Sequence, residues 1–112
     1  MEWEKIDTLK YGSKPVLTTS QLSEVFESEK KTINRNFQRN KSYFKEGKHY
    51  ILLTGDLLKN YKETFDQKEI FKFFSVLYLW TKEGAFLLSK SCCTMSSWEE
   101  CDSILNEIYK DE

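Results

Sequence analysis

The stretch INRNFQRNKSYFKEGKHY, residues 33–50, decides how this chain folds. At about 100° per residue in a helix, Ile33 and Phe37 share one face, which predicts an apolar stripe buried against a core. Phe44 is expected to continue that core after the helix ends. Gly47 lies in a turn that leads into a strand. The polar side chains between these positions are therefore expected to face outward.

Upstream of this stretch, the segment SQLSEVFE predicts a first helix. Thr18 or Thr19 can cap its start, because a hydroxyl accepts a hydrogen bond from an unpaired backbone N–H. Ser28 then interrupts the pattern and is expected to cap a second helix over residues 29–40. Two helices joined by so tight a turn form a helix-turn-helix-like pair. The apolar stripe of the first helix comprises Leu22, Val25 and Phe26, at i, i+3 and i+4.

The remaining segments predict a mixture of strands and helices. We expect strands near Glu4–Leu9, over 49–53 and over 76–80, a short helix from Asp56, and a polar loop over 62–72. Thr81 is expected to cap a helix that reaches Ser89, and Thr94 or Ser96 to cap the last helix. The stripe of that last helix is Trp98, Cys101, Leu105, Ile108 and Tyr109. The order predicts an α+β fold with a two- or three-stranded sheet and four to five helices.

Length and composition indicate a small single domain. The chain has 112 residues, of which 39% are apolar and 15% aromatic, enough for a modest core. We expect an N-terminal extension over 1–14 and one domain over 15–112. The longest apolar run, 73–80, is far shorter than the roughly 20 residues of a membrane span. The N-terminus lacks the basic start and apolar core of a signal peptide, which favours the cytoplasm and no membrane partner.

The residues that usually carry catalysis or bind metals are sparse. His49 is the only histidine, and the three cysteines lack the paired C-x-x-C spacing of a zinc site. We therefore expect reduced, structural cysteines, with Cys101 in a helix core. His49 has no Ser, Cys or Asp motif beside it and is expected to face solvent or a phosphate. These observations predict a protein that is not an enzyme and that needs no metal, cofactor or small-molecule substrate.

Positive charge is concentrated in one window of the chain. Residues 30–48 hold seven cationic side chains against Glu46 alone, a net charge of +6 in a chain of net charge −1. Both arginines lie inside this window, whereas the residues from Glu99 onward are acidic. Because salt screens charges beyond about 10 Å, the local charge matters more for a phosphate contact than the net charge does.

The outward face of the second helix is predicted to contact DNA. Arg35 and Arg39 have the fork geometry that bonds guanine O6 and N7. Asn34 and Gln38 can bond adenine N6 and N7 in the major groove. The nearby lysines are expected to contact phosphates, which position a protein without reading sequence; they are Lys30, Lys31, Lys41, Lys45 and Lys48. The alternative is an ordinary solvated amphipathic helix that runs into a turn.

Other polar and aromatic residues of the same stretch favour structural roles. Asn36 and Asn40 lie close to the apolar face and are expected to brace the turn after the helix. Tyr43 and Tyr50 could stack on the bases of a single strand. We expect both rings to pack in the core instead.

Three segments, in this order, resemble a known family: VLTTSQLSEVF (16–26), INRNFQRNKSYFKEGKHYILLTGDLLK (33–59) and LYLWTKEGAFLLSKS (77–91). Their motifs are N-F-x-R-N at 36–40, F-x-E-G-x-H-Y at 44–50 and L-W-T-x-x-G-A at 79–85. Together they resemble the "ORF-six" N-terminal domain of phage antirepressor-type proteins, which is grouped with the KilA-N and Bro-N domains. The likeness covers about residues 15–110.

The resemblance implies a domain of temperate phages and prophages that binds DNA and is usually followed by a variable C-terminal module. We therefore expect a sequence-specific, antirepressor-type regulator whose second helix enters the major groove of double-stranded DNA. The alternative is a protein–protein interaction module that sequesters a phage repressor through the acidic C-terminal helix. Because one such module buries little surface on DNA, we also expect a homodimer or a fused second domain.

Overall fold

The computed structural model describes residues 9–63, 76–92 and 98–109, with the side chain of Trp98 excepted. The predictions for residues 4–8 and 64–72, for the caps Thr94 and Ser96 and for the side chain of Trp98 lie outside these residues. The elements, in order, are β1 (Leu9–Tyr11), β2 (Lys14–Thr18), α1 (Thr19–Phe26), α2 (Lys30–Arg39), β3 (Tyr50–Thr54), α3 (Gly55–Lys62), β4 (Val76–Trp80), α4 (Lys82–Cys92) and α5 (Trp98–Ile108), with a 3-10 turn at Lys41–Tyr43.

The predicted α+β class is confirmed, but the sheet has four strands rather than two or three. Its order is β1-β2-β4-β3, and every neighbouring pair is antiparallel. β1 begins at Leu9, where the strand predicted near Glu4–Leu9 ends, and it pairs with β2 across a tight turn in which Gly12 has a φ of 63°. Residues 9–14, assigned from the sequence to an N-terminal extension, therefore contribute to the sheet.

Alternation along the strands separates two cores, one on each face of the sheet. One face carries Leu17, Tyr50 and Trp80, which pack with the buried side chains of α1, α2, α4 and α5. The other face packs against α3 and comprises Val16, Ile51, Leu53, Leu77, Leu79, Leu58 and Tyr61. Four helices thus lie on one side of the sheet and α3 lies on the other.

The first two helices form a close pair whose ends are well defined. Thr18 caps α1 through a capping box, since its hydroxyl accepts from the Gln21 N–H and the Gln21 side chain accepts from the Thr18 N–H. Glu27, in the left-handed region, ends α1, and the Ser28 N–H bonds back to Ser23. Because Ser28 closes α1, the cap of α2 is Glu29 and not Ser28 as predicted, and no side chain bonds to this helix start.

The start of α4 is joined to the turn before β3 by a set of short contacts. The Thr81 hydroxyl donates to the carbonyl of Lys48, 2.7 Å away, and accepts from the Gly84 N–H. The Thr81 N–H donates to the carbonyl of His49. Gly84 lies so close to the same backbone that an added Cβ would overlap the His49 carbonyl oxygen. The prediction that Thr81 caps this helix is confirmed.

The last helix closes the core on the same side of the sheet. Cys101, Leu105 and Tyr109 are buried, and the Tyr109 hydroxyl donates to the carbonyl of Trp80. The prediction of a core position for Cys101 is confirmed. Cys92, in the last turn of α4, is half-buried.

Candidate nucleic-acid interface

The inner face of α2 is anchored in a cluster of aromatic rings. Phe37 is 1% exposed, and its ring centroid lies between 5.1 and 5.5 Å from those of Phe44, Tyr50, Tyr78 and Trp80. All four contacts are edge-to-face, the geometry that aromatic quadrupoles favour. Ile33, one turn earlier, is fully buried. These contacts fix the position and rotation of α2, and with them the direction in which its polar residues point.

One flank of α2 is tied to α4 by amide side chains. The Asn36 amide donates to the carbonyl of Ser91 at 3.3 Å and to Cys92 Sγ at 3.4 Å. The Asn40 amide donates to the carbonyl of Asn36 at 2.9 Å, and so caps the C-terminal end of the helix. The expectation that Asn36 and Asn40 are structural is confirmed.

The four residues predicted to contact bases are all exposed, but they do not form a single row. At about 100° per residue, Arg35 and Arg39 lie opposite the buried face, whereas Asn34 and Gln38 lie on the flank away from α4. Asn34 and Gln38, together with Lys30, line a groove of about 530 Å³. Its other lining residues are Thr18, Thr19 and Ser20 at the start of α1 and Val76, Leu77 and Tyr78 of β4.

The five lysines predicted to contact phosphates are exposed as well. Lys31 lies 3.5 Å from Glu29, and Lys48 lies 3.9 Å from Glu83. Because all four side chains are largely exposed, each ion pair contributes at most about 1 kcal/mol, and a phosphate can compete for the lysine. Over the described residues, no ion pair involves Lys30, Arg35, Arg39, Lys41 or Lys45.

The turn between α2 and β3 is held by His49. Its Nδ1 accepts a hydrogen bond of 2.9 Å from the Lys45 N–H, and its ring contacts that of Phe44. Burial lowers the pKa of His49, as do the nearby charges of Lys48 and Lys45, while Glu83 opposes them. The neutral ring is therefore favoured, which is the form that this hydrogen bond requires. Instead of simply facing solvent or a phosphate from a strand, His49 is a structural acceptor within a turn.

Of the two tyrosines predicted to pack in the core, only Tyr50 does so. Tyr43 lies in the 3-10 turn after α2 with 69% of its surface exposed, so the prediction for that ring is wrong. The reason lies in the turn, where Phe44 and not Tyr43 points back to Phe37. The sequence predicts Phe44 as a core residue but holds no signal that excludes Tyr43, because either ring is apolar enough to fill the site.

Two general properties of the described residues bear on the site. In ranges 9–63, 76–92 and 98–109, no three or more His, Cys, Asp or Glu side chains are grouped so that they could hold a metal ion. Over those same ranges, no helix combines the length and apolar character needed to cross a bilayer.

Comparison with known families supports the resemblance, while comparison with curated proteins and with solved structures gives no match. A family model described as the ORF6N domain matches residues 7–91. The matched range begins just before β1, contains all four strands and reaches the end of α4, so it includes the whole of α2 and the groove beside it. The chain therefore belongs to the ORF6N domain family.

Proposed function

We propose that this domain binds double-stranded DNA with sequence preference and serves in a phage or prophage regulator of the antirepressor type. The observation that carries the proposal is the outer face of α2. Arg35 and Arg39 stand there exposed, without an ion pair to any described residue, on a helix whose opposite face is locked into the core. Exposed, unpaired guanidinium groups on a rigid helix are suited to bidentate contacts with guanine.

In the proposed complex, α2 enters the major groove as the second helix of the α1–α2 pair. Arg35 and Arg39 point along the helix face opposite the core and contact base edges directly. Asn34 and Gln38 contact bases from the adjacent flank. The lysines at 30, 31, 41, 45 and 48 contact phosphates, with Lys31 and Lys48 exchanging their carboxylate partners for phosphate oxygens. The proposal is non-enzymatic, requires no cofactor and places the protein in the cytoplasm of the host.

The proposal is tested by titrating labelled duplex DNA with the protein at several salt concentrations and measuring fluorescence anisotropy. We expect the logarithm of the association constant to fall with a slope of about −4 to −6 against the logarithm of salt concentration, if most of the basic window engages. Changing Arg35 and Arg39 together to Ala should weaken binding at least tenfold and reduce the preference among duplexes of different sequence, since each bidentate contact discriminates by about 1–3 kcal/mol.

A matched control removes the same number of charges elsewhere. Lys14 is the first residue of β2, and Lys59 lies on α3, which packs on the face of the sheet opposite α2. Both lysines are exposed. The double change of Lys14 and Lys59 to Ala should alter the affinity much less than the arginine pair does. Absence of binding at low salt, or equal losses in the two double variants, would refute the assignment of α2.

A second candidate function rests on α5, whose outer face is acidic. Glu99 and Glu100 lie exposed in its first turn, while its inner face is buried. Such a face suits a basic surface on a phage repressor, which the domain would sequester. Capture of a purified phage repressor that survives the change of both arginines to Ala, but is lost when Glu99 and Glu100 become Gln, would favour this function over DNA binding.

Self-association bears on both candidates, because one small module gives few contacts to DNA. We propose that the domain binds DNA as a homodimer or beside a second module. Light scattering at high protein concentration tests the first arrangement, and a monomer there would contradict it.

A further inference from the structure

A shallow pocket lies where the end of α2 meets the end of α4, outside the set of residues assigned above. Its volume is about 160 Å³, and six residues line it: Asn40, Tyr43, Phe44, Leu87, Lys90 and Ser91. Buried Phe44 and half-buried Leu87 form an apolar floor, and the other four residues form a polar rim. The pocket is too small for a base pair but has room for a five-membered sugar ring.

The rim places an exposed aromatic ring beside an unpaired cation. Within the described part of the chain, the side chain of Tyr43 makes no hydrogen bond or ring contact, and Lys90 makes no ion pair. No acidic side chain lines the pocket. Lys41 belongs to the same 3-10 turn as Tyr43, and Arg39 is the last residue of α2, two positions before Lys41. Lys90 therefore adds a cation beside the end of the helix that carries both arginines.

The two sides of the pocket are held at a fixed separation. Asn36, on α2, donates to the Ser91 carbonyl and to Cys92 Sγ in the last turn of α4. The backbone next to Lys90 is therefore linked by hydrogen bonds to the helix proposed to enter the major groove. If α2 enters the major groove as proposed, a cation at this place would lie beside the phosphate strand at the edge of the groove.

We propose that this pocket seats one sugar–phosphate unit of the DNA backbone. The floor of Phe44 and Leu87 and the ring of Tyr43 pack against the deoxyribose, and Lys90 Nζ contacts the phosphate. The inference rests on the proposed DNA binding and adds Tyr43 and Lys90 to the interface. Because neither group meets a base edge, they strengthen binding to all sequences equally.

The experiment uses the salt titration of the full chain, with variants K90A, Y43A and Y43F and the control K59A on α3. Loss of one phosphate contact should reduce the magnitude of the salt slope by about 0.9, which corresponds to about an eightfold loss of affinity at 0.1 M salt. K90A should show both changes on every duplex tested, and K59A should show neither. Y43A should weaken binding with an unchanged slope, and Y43F, which keeps the ring, should bind as tightly as the parent protein.

The outcomes separate this inference from the function on which it rests. If the parent protein binds duplex and the arginine pair is required, but K90A and Y43A behave like K59A, the pocket assignment is overturned while the role of α2 stands. A weaker K90A with the parent salt slope likewise overturns the phosphate contact. If the parent protein binds a single strand more tightly than duplex, and Y43A loses that binding, the pocket assignment is overturned in favour of base stacking on Tyr43. Failure of the parent protein to bind any DNA removes both proposals.

Discussion

The junction between α4 and the turn before β3 predicts that Gly84→Ala destabilises the domain, although helix propensity favours the opposite result. In an ordinary helix position, Ala is more favourable than Gly by about 1 kcal/mol. At Gly84, however, the added Cβ would overlap the carbonyl oxygen of His49 and lie 2.7 Å from its carbonyl carbon. Since carbon atoms pack at about 3.5 Å or more, the contact with the carbonyl carbon alone requires the backbone at His49 to retreat by at least roughly 0.8 Å.

The size of the loss follows from the contacts that this retreat disturbs. The Thr81 N–H and hydroxyl donate to the carbonyls of His49 and Lys48 at 3.1 and 2.7 Å, and the hydroxyl also reaches the His49 carbonyl at 3.1 Å. Each hydrogen bond contributes about 0.5–1.5 kcal/mol, and overpacking itself costs about 1–3 kcal/mol. After the gain in helix propensity is subtracted, we expect a net loss of about 2–3 kcal/mol.

Urea unfolding followed by tryptophan fluorescence measures this loss. With a slope of about 1–3 kcal/mol/M, the midpoint should fall by about 0.7–3 M. Glu83→Ala is the matched control, because it changes the neighbouring exposed residue, whose pair with Lys48 is exposed to solvent. Its effect should stay within about 0.5 kcal/mol. A Gly84→Ala protein as stable as the parent, or more stable, would refute the reasoning, since the propensity term would then exceed the steric one.

Two further predictions concern the anchor of α2 and the turn that follows it. Phe37→Ala should lower the free energy of unfolding by about 3–5 kcal/mol, because it removes the ring at the centre of four edge-to-face contacts. The control Gln38→Ala, at an exposed position, should change it by less than about 0.5 kcal/mol. Equal losses in the two variants would contradict the central place of Phe37 in the core. Because the pKa of His49 is lowered in the folded state, the folded protein binds fewer protons at this site than the unfolded chain does. The contribution of His49 to stability is therefore complete above about pH 6.5 and is lost as the pH falls through the lowered pKa. The drop in urea midpoint between pH 7.5 and 5.5 should be larger for the parent than for His49→Gln, and equal drops would show that this histidine is not responsible.

Features set by periodicity and local capping chemistry could be predicted from the sequence. Ile33 and Phe37 lie on the buried side of α2 because their spacing matches one helix face, and Phe44 continues the core as expected. Thr18 and Thr81 cap their helices because a hydroxyl just before a helical pattern has an unpaired N–H within reach. These effects depend on neighbouring residues in the chain.

Features set by contacts between distant segments could not be predicted in this way. The groove that Asn34 and Gln38 line exists because β4 and the start of α1 pass beside one flank of α2. Lys90 joins the surface of α2 only because α4 ends against it, more than fifty residues along the chain. No pattern within a single window of sequence carries that information.

Along α2, residues that pack against the rest of the fold alternate with residues that make no such contact. Under the proposed DNA binding, this alternation affects how the preference for one DNA sequence over another can diverge. Ile33, Asn36, Phe37 and Asn40 carry the contacts that position the helix, while the intervening residues make none that stability depends on. Exposed substitutions usually change stability by no more than about 0.5 kcal/mol. Asn34, Arg35, Gln38 and Arg39 can therefore be randomised together on an unchanged scaffold. Under the proposed DNA binding, selection from such a library would yield domains that differ in the operators they bind and share one backbone.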